Sequence, residues 1–438
     1  MVNKLQLLVF ASISICLALC QQTPDVRYPR HVHLSLGELH DEMVVTWTTF
    51  QNASGQVEYS LVGSKNWLSS VAETRLFVDG GPKHRQLFIH RAHMTSLKSA
   101  AKYIYRVGDE DAGWSALFSF KTTPAGPEWS PVLAVYGDLG NVNGRSIGRL
   151  QTEAEFGTID SVLHIGDFAY NMETDDAAVG DSFMDQIEPI AAYVPYMTSV
   201  GNHETAYNFS NYRNRFTMPG GDGEGLWYSY DYGRAHIVAV SSEVYFYINQ
   251  GLDLIAKQKL WLQKDFEKAN KNREERPWLI VVAHRPMYCS NSDHDDCTFF
   301  ESFIRYAFED MFYEAGVDIF IGAHEHSYER AWPLYDRKIC NGSYDHPYID
   351  PTGPIHIVTG SAGMSSDHDP FVPVKPFWSA YRTTNYGYSK LHIDNSTHVL
   401  LEWVDDEKNG EITDSVWIAK KQHGAGTYTC HLKDLKRH

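Results

Sequence analysis

Five short apolar runs, each followed within two residues by a polar donor, constrain this chain more than any other feature. They are PVLAVYG (131–137), SVLHIG (161–166), PYMTSVG (195–201), WLIVVA (278–283) and VDIFIG (317–322). Apart from Asp318 they carry no charge, and their apolar character is continuous rather than alternating. That pattern predicts strands buried on both faces. Segments of helical period stand between them at 146–157, 178–192, 254–272 and 298–315, the third placing Leu254, Leu260, Leu262 and Phe266 among charges. Buried strands alternating with helices predict a layered α/β domain.

Residues on either side read differently. Between 24 and 123 the stretches MVVTWTTF, QVEYSL, AKYIYRVG and ALFSFKTT alternate with period two between Gly, Asn and Asp turns. This predicts a small antiparallel β-sandwich, and the Pro/Gly-rich TTPAGPEWSP (122–131) marks a boundary. The α/β domain then spans 130–425. Its portion 354–420 returns to β-like runs (PIHIVTG, YSKLHID, HVLLEWV, SVWIAK) and is expected to form a second sheet completing the same domain.

Residues 1–20 combine an early Lys4, an apolar stretch from Leu5 to Leu19, and small residues before Gln21. These are the marks of a signal peptide cleaved near Cys20. The stretch falls short of the ~20 residues needed to span a bilayer, so no stable membrane anchor is expected. The mature chain is expected to be secreted or delivered to the lumen of the secretory pathway or lysosome. Cys289, Cys297, Cys340 and Cys430 then remain, and an even number in an oxidising compartment implies two disulfides. Of three connectivities, the one closing the short loop Cys289–Cys297 is preferred. Sequons at Asn52, Asn208, Asn341 and Asn395 predict glycosylation. The formal charge of −17, without any Lys/Arg-rich run, argues against nucleic acid or an anionic membrane surface as the main partner. A small anionic substrate would need a local positive centre, such as a metal.

The polar residues after the five runs are Asp138, Asp167, Asn202, His284 and His324. In α/β sheets ligands bind beyond the carboxyl ends of the strands. Asp and Asn are ordinary turn residues, but donors at five successive strand ends point to one polar site built from distant segments. Carboxylate, amide and imidazole donors suit iron, zinc and manganese. His324 and His326, two apart, are expected on one side of an extended segment and so within reach of one cluster. They are not the four-apart pair of a helical zinc protease motif.

The blocks GDLG (137–140), GDFAY (166–170), GNHE (201–204), VVAH (281–284) and AHEH (323–326) resemble, in order and spacing, those of the purple acid phosphatases of the binuclear metallophosphoesterase superfamily. HEHSYER and GNHETAYNFSNY resemble the larger animal-type members. The resemblance implies a layered α-β-β-α metallophosphoesterase sandwich preceded by a small fibronectin-like β-sandwich. It implies a ferric site of Asp138, Tyr170, His326 and a bridging Asp167, and a divalent site (zinc, manganese or iron) of Asp167, Asn202, His284 and His324. His203 would contact phosphate, and His294 falls where the family places an acid histidine, or is a solvated loop residue. The chain departs at Ala323, where the family usually has Gly.

The implied activity is hydrolysis of small phosphate monoesters by attack of a metal-bound hydroxide. A ferric and a divalent ion outweigh two aspartates and a tyrosinate, leaving positive charge to attract phosphate and to lower the pKa of a bound water. Two alternatives stand beside it. A phosphodiesterase or nucleotide pyrophosphatase with two divalent ions would be expected to carry Asp-x-His in the first block, where this chain has Asp138-Leu139-Gly140. A catalytically inactive glycoprotein on the same scaffold would not need all seven ligand positions filled.

Overall fold

Alternation between Arg30 and Lys121 produces antiparallel strands, each turning one face inward. In the computed structural model, which describes residues 26–294, 296–299, 302–364 and 368–430, these are β1 (Arg30–Leu36), β2 (Met43–Thr49), β3 (Gln56–Leu61), β4 (Leu68–Val71), β5 (Glu73–Val78), β6 (Gln86–Met94), β7 (Lys102–Asp109), β8 (Gly113–Trp114) and β9 (Phe118–Lys121). One sheet runs β1-β2-β6-β5 and the other β4-β3-β7-β8, with β9 paired to β7. Val45, Trp47, Val57, Tyr105 and Phe120 share their core. The expected signal peptide lies outside the described residues.

Beyond residue 131 the order is β10 (Val132–Tyr136), α1 (Ile147–Phe156), β11 (Ser161–Ile165), α2 (Thr174–Ala191), β12 (Tyr196–Ser199) and α3 (Ala206–Arg215). Then come β13 (Tyr228–Tyr232), β14 (Ala235–Ala239), α4 (Leu252–Lys271), β15 (Trp278–Val282), α5 (Phe303–Ala315) and β16 (Ile319–Gly322). The last strands are β17 (Tyr328–Ala331), the hairpin β18 (Leu334–Tyr335) and β19 (Lys338–Ile339), β20 (Ile355–Thr359), β21 (Ser379–Thr383), β22 (Gly387–Ile393), β23 (His398–Asp405) and β24 (Glu411–Ala419). Local signals set the helix ends. Ser302 accepts the N–H groups of Ile304 and Arg305 at the start of α5, and Gly316, at φ 69°, closes it.

All five apolar runs are strands of two sheets. The first runs β12-β11-β10-β22-β23-β24 and the second β13-β14-β15-β16-β20-β17-β21. In the second sheet Ile280, Val282, Ile319 and Ile321 join the core shared with the first. Leu279, Val281 and Phe320 point the other way, to Leu262 and Phe266 of α4 and Phe308 and Phe312 of α5. Leu150 of α1 and Phe183 and Ile187 of α2 pack on the first sheet. The result is the expected α-β-β-α sandwich. Each fully buried Val, Leu or Ile contributes roughly 1.5–3 kcal/mol, so both faces of these strands hold their register.

One expectation needs correction. Residues 354–420 do not form one further sheet: β20 and β21 join the second, while β22, β23 and β24 complete the first. Strand β22 pairs antiparallel with β10, Val132 facing His392. Partnership follows whichever edge is open, which local pattern does not reveal. Helix α3 was also unanticipated, because AYNFSNYRNR has poor helix formers and buries only Phe209, Asn211, Tyr212 and Arg215.

The parallel strands β10, β11 and β12 are in level register, Tyr136 facing His164 and Ile165 facing Ser199, so their carboxyl ends finish together. The β-sandwich braces this region from the side. Arg30 and Arg85 pair with Asp185 and Asp181, the Val32 N–H donates to Glu188 (2.8 Å), and Asn211 donates to Asp79 (3.0 Å). Disulfides join Cys289 to Cys297, as preferred, and Cys340 to Cys430.

Three buried histidines generate a pH dependence. Burial lowers His33, His90 and His356 to about 4. The unfolded chain, with ordinary histidines near 6.5, therefore binds more protons below that pH. Their contribution to stability is intact above pH 6.5 and is lost progressively towards pH 4. Urea midpoints should fall over that window, and fall less steeply in His356→Gln; a midpoint independent of pH there would contradict the assignment.

Candidate metal centre

The level strand ends deliver the first three donors side by side, and β15 and β16 of the second sheet deliver the rest. The backbone turns sharply after β10, β11 and β16: Asp138, Asp167, Tyr170 and His324 have φ of 58°, 53°, 55° and 69°. This left-handed bend is costly for residues other than Gly, and such strain gathers at functional sites. It swings each side chain out of the sheet and into the gap between the two sheets' ends.

The donors meet in two adjoining groups. In one, the Tyr170 hydroxyl donates to Asp138 Oδ1 at 3.1 Å and lies 2.9 Å from His326 Nε2. In the other, His284 Nε2 lies 3.0 Å from Asn202 Oδ1, 3.1 Å from His324 Nδ1 and 3.2 Å from Asp167 Oδ2. Asp138 joins the groups, its Oδ2 accepting the His324 N–H at 2.9 Å. The structure thus brings together all seven residues singled out by the sequence.

The histidine pair behaves differently from expectation. His324 and His326 do not lie on one side of an extended segment, because the left-handed turn at His324 separates them. His324 faces His284 and Asp167; His326 faces Tyr170 and Asp138. Each group receives one imidazole of this pair as a result.

The second group fits a cation. His284 Nδ1 lies 2.9 Å from the Ile165 carbonyl, to which only an N–H can donate. Once a cation replaces the second proton, the ring presents a lone pair at Nε2, facing the oxygens of Asn202 and Asp167. Burial alone would lower the His284 pKa, but Asp167, with Asp138 and Glu243 behind it, raises it to about 10. The pocket therefore stabilises positive charge where these lone pairs converge. Asp167 is held well below the usual carboxylate range despite burial, by His284, His203 and His324. Burial, then Asp138 and Asp167, push the Tyr170 phenol well above its usual range, so that only a strong cation displaces its proton.

Close packing explains the small residues in these blocks. A side chain at Gly166, at φ 94°, would meet His284 Nδ1 at 2.5 Å. The methyl group of Ala323, where the resemblance leads one to expect Gly, sits where a side chain at 137 would go, at 2.4 Å, and is accommodated because 137 is Gly.

His203 stands at the rim. Its N–H donates to Asp167 Oδ1 (3.0 Å), its Nδ1 lies 2.8 Å from Asn171 Oδ1, and its ring packs 4.5 Å from that of Tyr170. His294 is exposed in the loop closed by Cys289–Cys297. Sequence reasoning missed Glu204, a fully buried carboxylate accepting the N–H groups of Asp167, Phe168 and Gly201 at 2.8, 2.9 and 2.8 Å. Its only signal was its place at the end of GNHE. Asp369, which accepts the His326 N–H at 2.7 Å, had none.

Comparison with known proteins bears on this geometry. Residues 29–122 match the family model "Purple acid Phosphatase, N-terminal domain", 131–328 match "Calcineurin-like phosphoesterase", and 353–415 match "Iron/zinc purple acid phosphatase-like protein C". Acid phosphatase type 7 of Danio rerio is 48% identical over 421 residues, 93% of this chain and 95% of that protein. The Homo sapiens protein of that name is 48% identical over 408 residues, 91% and 93% of the two chains. The solved structure of a purple acid phosphatase from yellow lupin (Lupinus luteus) seeds superposes with a TM-score of 0.79 at 27% identity, covering 90% of this chain and 75% of that one. The chain belongs to the purple acid phosphatase family.

Proposed function

We propose that this protein hydrolyses phosphate monoesters at a centre of one ferric and one divalent ion (zinc, manganese or iron). Asp138, Tyr170 and His326 would hold the ferric ion, and Asn202, His284 and His324 the divalent ion. Asp167 would bridge them. The observation that carries this reading is the convergence of Asp167, Asn202 and His324 on His284 Nε2 within 3.2 Å.

When bound, the two ions supply Lewis acidity at the phosphoryl oxygens and an activated water. The chain's own groups do the rest. Asn171 fixes the His203 ring through Nδ1, so that Nε2, 3.8 Å from Asp167 Oδ2, would bond a phosphoryl oxygen or carry a proton to the leaving alkoxide. Glu204 holds the exits of β11 and β12 in place, and Asp369 holds His326. His294, presented by its disulfide-closed loop, is the second candidate proton donor.

A pair of divalent ions serving a phosphodiesterase is disfavoured by Tyr170, whose hydroxyl lies between Asp138 and His326. At position 140 there is no imidazole but a Gly, at φ 72°, where an added side chain would approach the Tyr170 ring at 3.7 Å. We further propose residence in the secretory pathway lumen or outside the cell, supported by the leader-like residues 1–20, two disulfides and sequons whose Asn52, Asn208 and Asn395 are exposed. Among the described residues no helix is long and apolar enough to cross a membrane.

Metal analysis of the purified protein with its visible spectrum tests the reading. Tyr170→Phe should abolish visible absorption while circular dichroism is unchanged; a colourless, iron-free and fully active wild type would favour the two-divalent-ion reading. His203→Ala should lower kcat by about 10²–10⁴ with both ions retained, and loss of an ion instead would make His203 a ligand. His294→Ala should lower turnover without lowering metal content; unchanged turnover would return it to the surface of its loop.

A further inference from the structure

A cavity of about 270 Å³ lies where the β-sandwich meets α3. Arg75 of β5 and Arg91 of β6 form its sandwich wall, and Tyr207, Asn208, Ser210 and Arg213 of α3 face them. None of the seven converging donors lines it.

The guanidinium groups of this cavity are only partly engaged. Arg91 Nη2 donates to the carbonyls of Arg213, Asn214 and Phe216, at 3.2, 2.8 and 3.4 Å, and so caps the end of α3. Among the described residues no carboxylate pairs with Arg91, and its Nη1 makes no hydrogen bond. Arg75 holds Glu73 through Nε alone, at 2.7 Å, and Arg213 pairs with Glu224. Glu73 and Glu224 thus balance Arg75 and Arg213, so the cavity calls for hydrogen-bond acceptors more than for a full negative charge. A guanidinium only donates.

Asn208, Phe209 and Ser210 form one of the four sequons. Asn208 is exposed, at φ 60°, in a left-handed bend that asparagine tolerates. Its Oδ1 accepts from Arg213 Nη2 at 3.3 Å, and its amide nitrogen, the atom that carries a glycan, has no partner among the described residues. The neighbouring Tyr207 ring is half-exposed and offers an apolar face with a polar tip. The hydroxyls and acetamide carbonyls of an N-glycan core supply the acceptors this cavity lacks. Attached at Asn208, such a core also reaches the arginines intramolecularly, at the high effective concentration of a short tether, whereas a free ligand must be recruited from solution.

We propose that the glycan attached at Asn208 folds back into this cavity and bridges the β-sandwich to α3 through Arg75 and Arg91. Such a glycan requires the passage through the secretory pathway proposed above.

The test uses full-length protein secreted from a eukaryotic culture, mapped for occupancy at all four sequons and treated in its native state with peptide N-glycosidase F. Release from Asn208 should be about tenfold slower than in Arg75→Gln, a factor within reach of one charge-assisted hydrogen bond, with occupancy the same in both. Asn208→Gln should raise deuterium uptake in β5 and at the end of α3. Equal release from the two proteins, or unchanged uptake, would overturn the proposal. An Asn208 left bare beside another occupied sequon would overturn it alone. A chain bare at all four sequons would overturn it together with residence in the secretory pathway.

Discussion

Left-handed backbone at the strand exits is the constraint on which the rest of this structure depends. Four of the seven converging donor residues, Asp138, Asp167, Tyr170 and His324, adopt it, at a cost of roughly 1–2 kcal/mol for each L-residue. Hydrogen bonds between neighbouring exits offset that cost. Glu204 gathers three main-chain N–H groups from the ends of β11 and β12, Asp138 accepts the His324 N–H, and the Ala323 N–H donates to the His284 carbonyl at 2.7 Å. The exits therefore stand or fall together. A substitution at Glu204 would loosen the exit at Asp167 without altering any of the seven donors.

Electrostatics reinforce the same geometry. The chain is acidic overall, yet the gap between the sheet ends is arranged to attract cations: buried Asp138 and Asp167 lower the energy of positive charge there. Among the described residues of the β-sandwich, none belongs to the two donor groups. Its contribution is mechanical, through Arg85, Asp181 and the buried Arg215 (2.9 Å from Asp181), which secure α2 and α3 where they flank the loops bearing Tyr170 and His203.

Much of this was legible in the linear chain, for identifiable reasons. Strands β10, β11, β12, β15 and β16 were readable because burial on both faces leaves an unbroken apolar run, and each donor was readable as the interruption that ends it. What escaped notice depends on contacts across long separations. Strand β22 belongs beside β10, and Asp369 matters because it meets His326. The spacing of His324 and His326 was visible but its meaning was not, since a single left-handed residue converts a shared face into two divergent ones.

The placement of β10 reaches into biosynthesis. This first strand of the α/β unit lies between β11 and β22, so one of its edges stays unpaired until Gly387–Ile393 has been translated. Until then a nascent chain already holding all seven converging donors carries an open, apolar sheet edge of the kind that recruits other chains. Premature stops late in the reading frame would accordingly act as lesions of folding and quality control, even though they spare the chemistry itself.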